Sequence, residues 1–191
     1  GAEEALWLLT CLARPGEVPE EIIVPYLTSA YHRERIDAAV LLTVQGFRSP
    51  NADQNGAEAV LLREAAKPYP FPEIWSIGKG MPDDNFRDKA LMVQALAMHT
   101  TNLGALERFA DPGSAYRDLR YALARGLARR GKTDGIPLLL RLCQDPLTVV
   151  RQQARYALAE IRDQVRLRGE PVPRFRVACN AEIGTGKSKE L

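Results

Sequence analysis

The apolar residues near the end of the chain recur with the period of an α-helix. Residues 145–161 read DPLTVVRQQARYALAEI. With a turn of about 100° per residue, the apolar positions of this stretch and its continuation fall within one arc of about 100°. These positions are Val150, Ala154, Ala157, Leu158, Ile161 and Val165. The pattern predicts a helix with one buried stripe, entered through a turn at Asp145-Pro146 and capped by Thr148.

A second helix is predicted immediately before this turn. Residues 136–143 place apolar side chains at i, i+3, i+4 and i+7, which is the spacing of one helix face. The same scheme occurs upstream, where residues 102–109, Asp111-Pro112 and residues 115–129 predict a helix, a turn and an arginine-rich helix. The letters RYALA occur at residues 120–124 and again 35 positions later. An isolated pair of such helices leaves apolar surface uncovered, so we expect successive pairs to stack on each other.

Weaker helical periodicity extends over the first half of the chain. It predicts one pair over residues 19–30 and 34–45, a second over residues 57–66 and 85–98, and a covering helix over residues 3–13. The predicted fold is all-α: an α-solenoid, or α-α superhelix, of about four antiparallel helix pairs. We expect residues 1–168 to form a single repeat domain and residues 169–191 an irregular tail.

A proline-rich stretch interrupts the helical pattern. Residues 67–84 read KPYPFPEIWSIGKGMPDD, and proline both removes a backbone donor and blocks the preceding helical turn. This stretch predicts an insertion loop. Tyr69, Phe71 and Trp75 are candidate aromatic contacts to a partner, and the alternative is that they fold back onto the core.

The last helix resembles the HEAT-repeat family, in particular the short bacterial type related to phycobilisome-lyase repeats. In that type of repeat the second helix reads V-R-x-x-A-x-x-A-L-x-x-I. Residues 150–161 match this pattern at every specified position. The resemblance is clearest over residues 102–164. It implies an ARM/HEAT-like, right-handed stack in which the second helix of each pair lines the concave side.

Charge is distributed unevenly along the chain. The net charge is +2, but residues 1–110 carry 10 Lys and Arg against 15 Asp and Glu, a net −5, while residues 111–191 carry 16 against 9, a net +7. No run approaches the roughly 18 apolar residues of a membrane-spanning helix. We expect a cytoplasmic protein without a membrane partner; because the chain begins with Gly1, a removed targeting signal is the alternative.

Arginines account for much of the basic charge on the last helix. Arg151, Arg155, Arg162 and Arg166 fall within a band of about 60° beside the apolar stripe. Together with Arg117 and Arg120, they are the candidate partner-binding residues of a concave basic surface. The alternative is a structural role, in which Arg151 pairs with Asp145 or Asp134.

Three functions are compatible with these features. The first is a non-enzymatic scaffold or interaction module that binds a protein or acidic peptide through the arginine-rich surface. The second is nucleic-acid binding, which the resemblance implies through the HEAT-like DNA glycosylases and their concave basic surface. The third is a bilin lyase-like enzyme, by analogy with some members of the same repeat class. We favour the first.

Candidate motifs for cofactor or metal chemistry are incomplete. IGTGKS, at residues 183–188, lacks the first glycine of a phosphate-binding loop, because Ala181 stands there, and too few residues follow to form the required helix. The three cysteines lack CxxC spacing, and Cys11 and Cys143 fall in helical patterns that predict buried thiols. The two histidines are not followed by glutamate. We therefore expect no cofactor, no metal and no enzymatic activity.

Overall fold

A computed structural model describes residues 2–47, 56–67, 87–113, 116–172 and 174. These residues form α-helices and short 3-10 helices, and no strand occurs among them. The predicted all-α fold is confirmed. The chain divides into an N-terminal unit, Gly1–Leu106, and a C-terminal unit, Glu107–Leu191; the prediction of a single domain over residues 1–168 stays a prediction. Most of the expected insertion loop, with Tyr69, Phe71 and Trp75, lies outside the described residues, as does IGTGKS.

The N-terminal unit contains two helix pairs and an additional first helix. Its elements are α1 (Ala2–Leu12), α2 (Glu20–Ile23) with a following 3-10 helix (Val24–Thr28), α3 (His32–Gln45), α4 (Ala57–Ala66), α5 (Arg87–His99) and a 3-10 helix (Leu103–Leu106). Helix α3 packs against both α1 and α5, and α4 packs against α5. Leu41, Leu61 and Leu96 from the three central helices are fully buried. The unit is therefore a row of helix pairs with α1 against its first long helix.

Helix α1 covers α3 with one face and exposes apolar residues on the other. Leu6 is buried, whereas Trp7, Leu8 and Leu12 are 54%, 46% and 76% exposed. Cys11 is exposed as well, so the prediction that its thiol is buried is wrong. The apolar pattern identified the helix, but it did not identify the face that α3 covers.

The C-terminal unit consists of two further helix pairs. Its elements are α6 (Glu107–Ala110), α7 (Arg117–Arg130), a 3-10 helix (Thr133–Gly135) that leads into α8 (Ile136–Leu142), and α9 (Thr148–Leu167). Helix α9 packs against α7 and α8, and α6 packs against α7. All six apolar positions predicted for the buried stripe of α9 are buried. The stacking of helix pairs is thus confirmed within this unit.

Specific residues end α7 and begin α9. Gly131 ends α7 with a φ of 63°, and its N–H donates to the carbonyls of Leu127 and Ala128. A Cβ there would lie 1.8 Å from Oε1 of Gln164, so glycine suits both the backbone conformation and the close approach of α9. At the start of α9 the predicted capping role of Thr148 is wrong, because Thr148 is already the first helical residue and the N-cap residue makes no side-chain capping bond.

The structural register between α7 and α9 differs from the spacing of the repeated letters. Arg120 and Arg151 are each the fourth residue of their helix, 31 positions apart. This alignment pairs buried Leu127 with buried Leu158, whereas the spacing of 35 would pair Leu127 with the partly exposed Arg162. The Asp-Pro turns recur after 34 residues and the letters RYALA after 35, which predicts a difference of one residue between the two turns. This prediction is wrong, because four residues separate Pro112 from the start of α7 and one separates Pro146 from the start of α9.

Candidate interaction surface

Arg120 is buried inside the C-terminal unit. Its residue surface is 3% exposed, as is that of Asp145. Nε of Arg120 donates to Oδ2 of Asp145 at 2.6 Å, and Nη2 donates to Oδ1 at 3.4 Å. The same Oδ1 accepts the N–H of Leu147 at 2.8 Å, which fixes the carboxylate on its own turn. Arg120 therefore joins α7 to the turn before α9, which corrects its predicted place on an exposed basic surface.

Arg151 holds the turn from which its own helix begins. Nη1 donates to the carbonyl oxygens of Asp145 and Pro146, both at 2.7 Å, and Nη2 donates to Oγ1 of Thr148 at 2.9 Å. These bonds occupy one edge of the guanidinium group. The predicted alternative is thus correct in part. Arg151 has a structural role, but it bonds the backbone carbonyl of Asp145 and not its carboxylate.

Asp134, the other acidic residue considered for Arg151, pairs with Arg130. Nη2 of Arg130 lies 2.7 Å from Oδ2 of Asp134. Hydrogen bonds from Arg130 hold the pKa of the Asp134 carboxyl below its ordinary value, and desolvation opposes this effect only in part. The bond joins the end of α7 to the 3-10 helix before α8.

Arg117 and Arg162 each bond the aspartate that follows them in sequence. Nε of Arg117 is 3.0 Å from Oδ1 of Asp118, and Nε of Arg162 is 3.4 Å from Oδ1 of Asp163. Pairs this accessible to solvent contribute about 0 to 1 kcal/mol. A binding partner could therefore displace either aspartate at little cost.

Arg155 contains a buried donor with no acceptor. Its Nε is inaccessible to solvent and has no hydrogen-bond partner in the described part of the chain. Leaving a buried donor unpaired costs about 1 to 3 kcal/mol. Arg166, nearly one helical turn beyond Arg162, is exposed.

Contacts between α7 and α9 show which side of α9 carries these arginines. Nε2 of Gln164 donates to the carbonyl of Ala128 at 3.5 Å, and Nη2 of Arg168 donates to the carbonyl of Gly131 at 2.9 Å. On a helical wheel, Arg155 is rotated by about 140 to 180° from Gln164 and Arg168. We refer to Arg151, Arg155, Arg162 and Arg166 as the arginine flank of α9. It faces away from α7, which differs from the predicted placement on a surface shared by the second helices.

The equivalent flank of α7 is covered. With the spacing of 31, Arg155 corresponds to Ala124, and Ala124 is fully buried. A small residue there lets α9 approach α7 closely. At the equivalent position α9 has an arginine, so its flank is cationic and partly exposed where α7 is apolar and buried.

A third face of α9 exposes apolar side chains that the sequence analysis did not single out. Val149, Tyr156 and Leu167 are 44%, 70% and 87% exposed, and they fall within about 20° of one another on the helical wheel. Their spacing of 7 and 11 residues was the available signal. Because they lie 7 and 11 residues apart along the helix, they are single exposed side chains and not one contiguous apolar patch.

The described residues contain neither a metal-binding cluster nor a membrane-spanning helix. No group of three or more His, Cys, Asp and Glu side chains there could hold a metal ion. None of the described helices is long and apolar enough to cross a membrane.

Comparison with known proteins identifies the C-terminal helix pairs. A family model for HEAT repeats matches residues 106–168, which is 63 of the 191 residues. Searches of curated proteins and of solved structures gave no match. HEAT repeats generally mediate protein interaction or scaffolding. The matched segment contains α6 to α9, and the predicted resemblance to HEAT repeats is confirmed there, while the finer resemblance to the phycobilisome-lyase type stays a prediction.

Proposed function

We propose that this chain is a non-enzymatic interaction module that binds an acidic protein partner through the arginine flank of α9. The observation that supports the proposal is the arginine flank of α9, which faces away from α7 and includes the partly exposed Arg155 and the exposed Arg166. A carboxylate brought by a partner would pair with guanidinium groups that form no ion pair within the described residues.

The chemistry of the flank favours a carboxylate partner. Guanidinium groups bind carboxylates through fixed N–H forks, which makes arginine suited to ion pairs at interfaces. The net +7 of residues 111–191 would accelerate encounter with an acidic surface. Tyr156, on the neighbouring exposed face, supplies an aromatic side chain of the kind enriched among residues that dominate binding energy.

Within the arginine flank, the small number of uncommitted arginines favours a protein partner over nucleic acid. Arg120 is buried in its pair with Asp145, and Arg151 uses both terminal nitrogens on its own turn. Nucleic-acid binding draws its affinity from many simultaneous phosphate contacts, with a slope of roughly −0.9 per contact in log K against log salt on duplex DNA. The few arginines that remain would support only weak duplex binding.

Capture experiments with matched variants test the proposal. The purified chain is immobilised and exposed to a cell extract, and retained proteins are compared with those retained by an Arg155→Glu/Arg166→Glu double variant. Arg129→Glu serves as the control, because Arg129 is an exposed arginine of α7. We expect the wild type and the control to retain the same proteins and the double variant to lose them, with unchanged circular dichroism. Identical retention by all three would refute the proposal.

A titration with DNA tests the second predicted function, which is nucleic-acid binding. Fluorescence anisotropy of a labelled duplex is measured with the chain at low and at physiological salt. We expect weak binding at low salt only. Tight binding that persists at physiological salt would favour nucleic acid over an acidic protein.

A further inference from the structure

We draw no further inference here: the strongest candidate, the exposed apolar face of α1 that contains Trp7, Leu8 and Leu12, carries none because nothing in the structure shows what covers it.

Discussion

Helices α7 and α9 have the same register but opposite surroundings on one flank. In α7 the flank consists of Arg120 and Ala124, both buried, and the arginine meets Asp145 of the next helix pair. In α9 the equivalent residues are Arg151 and Arg155, and neither meets a carboxylate among the described residues. The same residue type therefore bonds a carboxylate of the next helix pair in α7 and the backbone of its own turn in α9.

The comparison also shows what decides the role of an arginine in a helical repeat. Burying a guanidinium group is costly unless a carboxylate and further hydrogen bonds compensate for the lost hydration. Asp145 provides this compensation for Arg120, and the turn carbonyls provide part of it for Arg151. No described residue provides such compensation for Nε of Arg155.

The largest expected effect is the loss of the buried ion pair. Arg120→Ala leaves Asp145 buried without its cation, and breaking such a pair destabilises a protein by about 3 to 5 kcal/mol. Urea unfolding measures this change. The control is Arg125→Ala, an exposed position on the same helix, with an expected change within about 0.5 kcal/mol. Similar stabilities for the two variants would mean that the Arg120–Asp145 pair does not join α7 to α9.

Truncation of the buried stripe should affect both helices alike. Leu127 and Leu158 occupy equivalent positions and are 0% and 1% exposed. Leu127→Ala and Leu158→Ala should each lower the free energy of unfolding by about 2 to 5 kcal/mol, since each leaves a cavity. A change below about 0.5 kcal/mol for Leu127→Ala would favour the register of 35 residues, in which this position corresponds to the partly exposed Arg162.

Removal of the arginine at the equivalent position of α9 should cost less. Arg151→Ala loses bonds to two carbonyls of a turn that remains accessible to water, so we expect a loss of about 1 kcal/mol. Thermal unfolding of this variant beside Arg120→Ala makes the comparison direct. If both variants lost the same stability, Arg151 would be as deeply integrated into the structure as Arg120.

Charge reversal on the flank should separate stability from binding. Arg155→Glu should leave the melting temperature nearly unchanged, because the free energy of unfolding should change by less than about 0.5 kcal/mol. The same substitution should weaken the binding of an acidic partner. Arg129→Glu is the matched charge reversal on α7. An unfolded Arg155→Glu variant would show that this side chain faces the core.

The smallest expected effect is a dependence of stability on pH. The pKa of Asp134 is lowered in the folded chain by hydrogen bonds from Arg130, so its ionised form favours folding. The contribution is complete above the ordinary aspartate pKa of about 4 and is lost as the pH falls through the lowered value. Asp134 is 44% exposed, so Asp134→Asn should cost less than about 1 kcal/mol at neutral pH. Unfolding curves measured from neutral to acidic pH should show the difference from wild type disappear, and a difference that is constant down to the lowest pH would contradict this origin.

The sequence was sufficient to predict features that depend on local periodicity. The buried stripe of α9 and the helix pairs follow from apolar spacing, and the turn at Asp145-Pro146 follows from proline chemistry. The partner of Arg120 could not be predicted, because Asp145 lies 25 residues away in the next pair, and the repeated letters indicated a different register. The exposure of Cys11 was missed for a related reason: periodicity marks a face as apolar but does not say which neighbour covers it.

The most direct test of the difference between the two helices is the hydrogen exchange of the arginine Nε–H groups, measured by nuclear magnetic resonance on the unbound chain. Arg120 should exchange slowly, because its Nε–H is buried and bonded to Asp145. Arg151 should exchange nearly as fast as the exposed Arg125, because within the described residues its bonds involve only the terminal nitrogens and its Nε–H meets no carboxylate. Equal protection of Arg120 and Arg151 would contradict the account, since the flank of α9 would then already be filled.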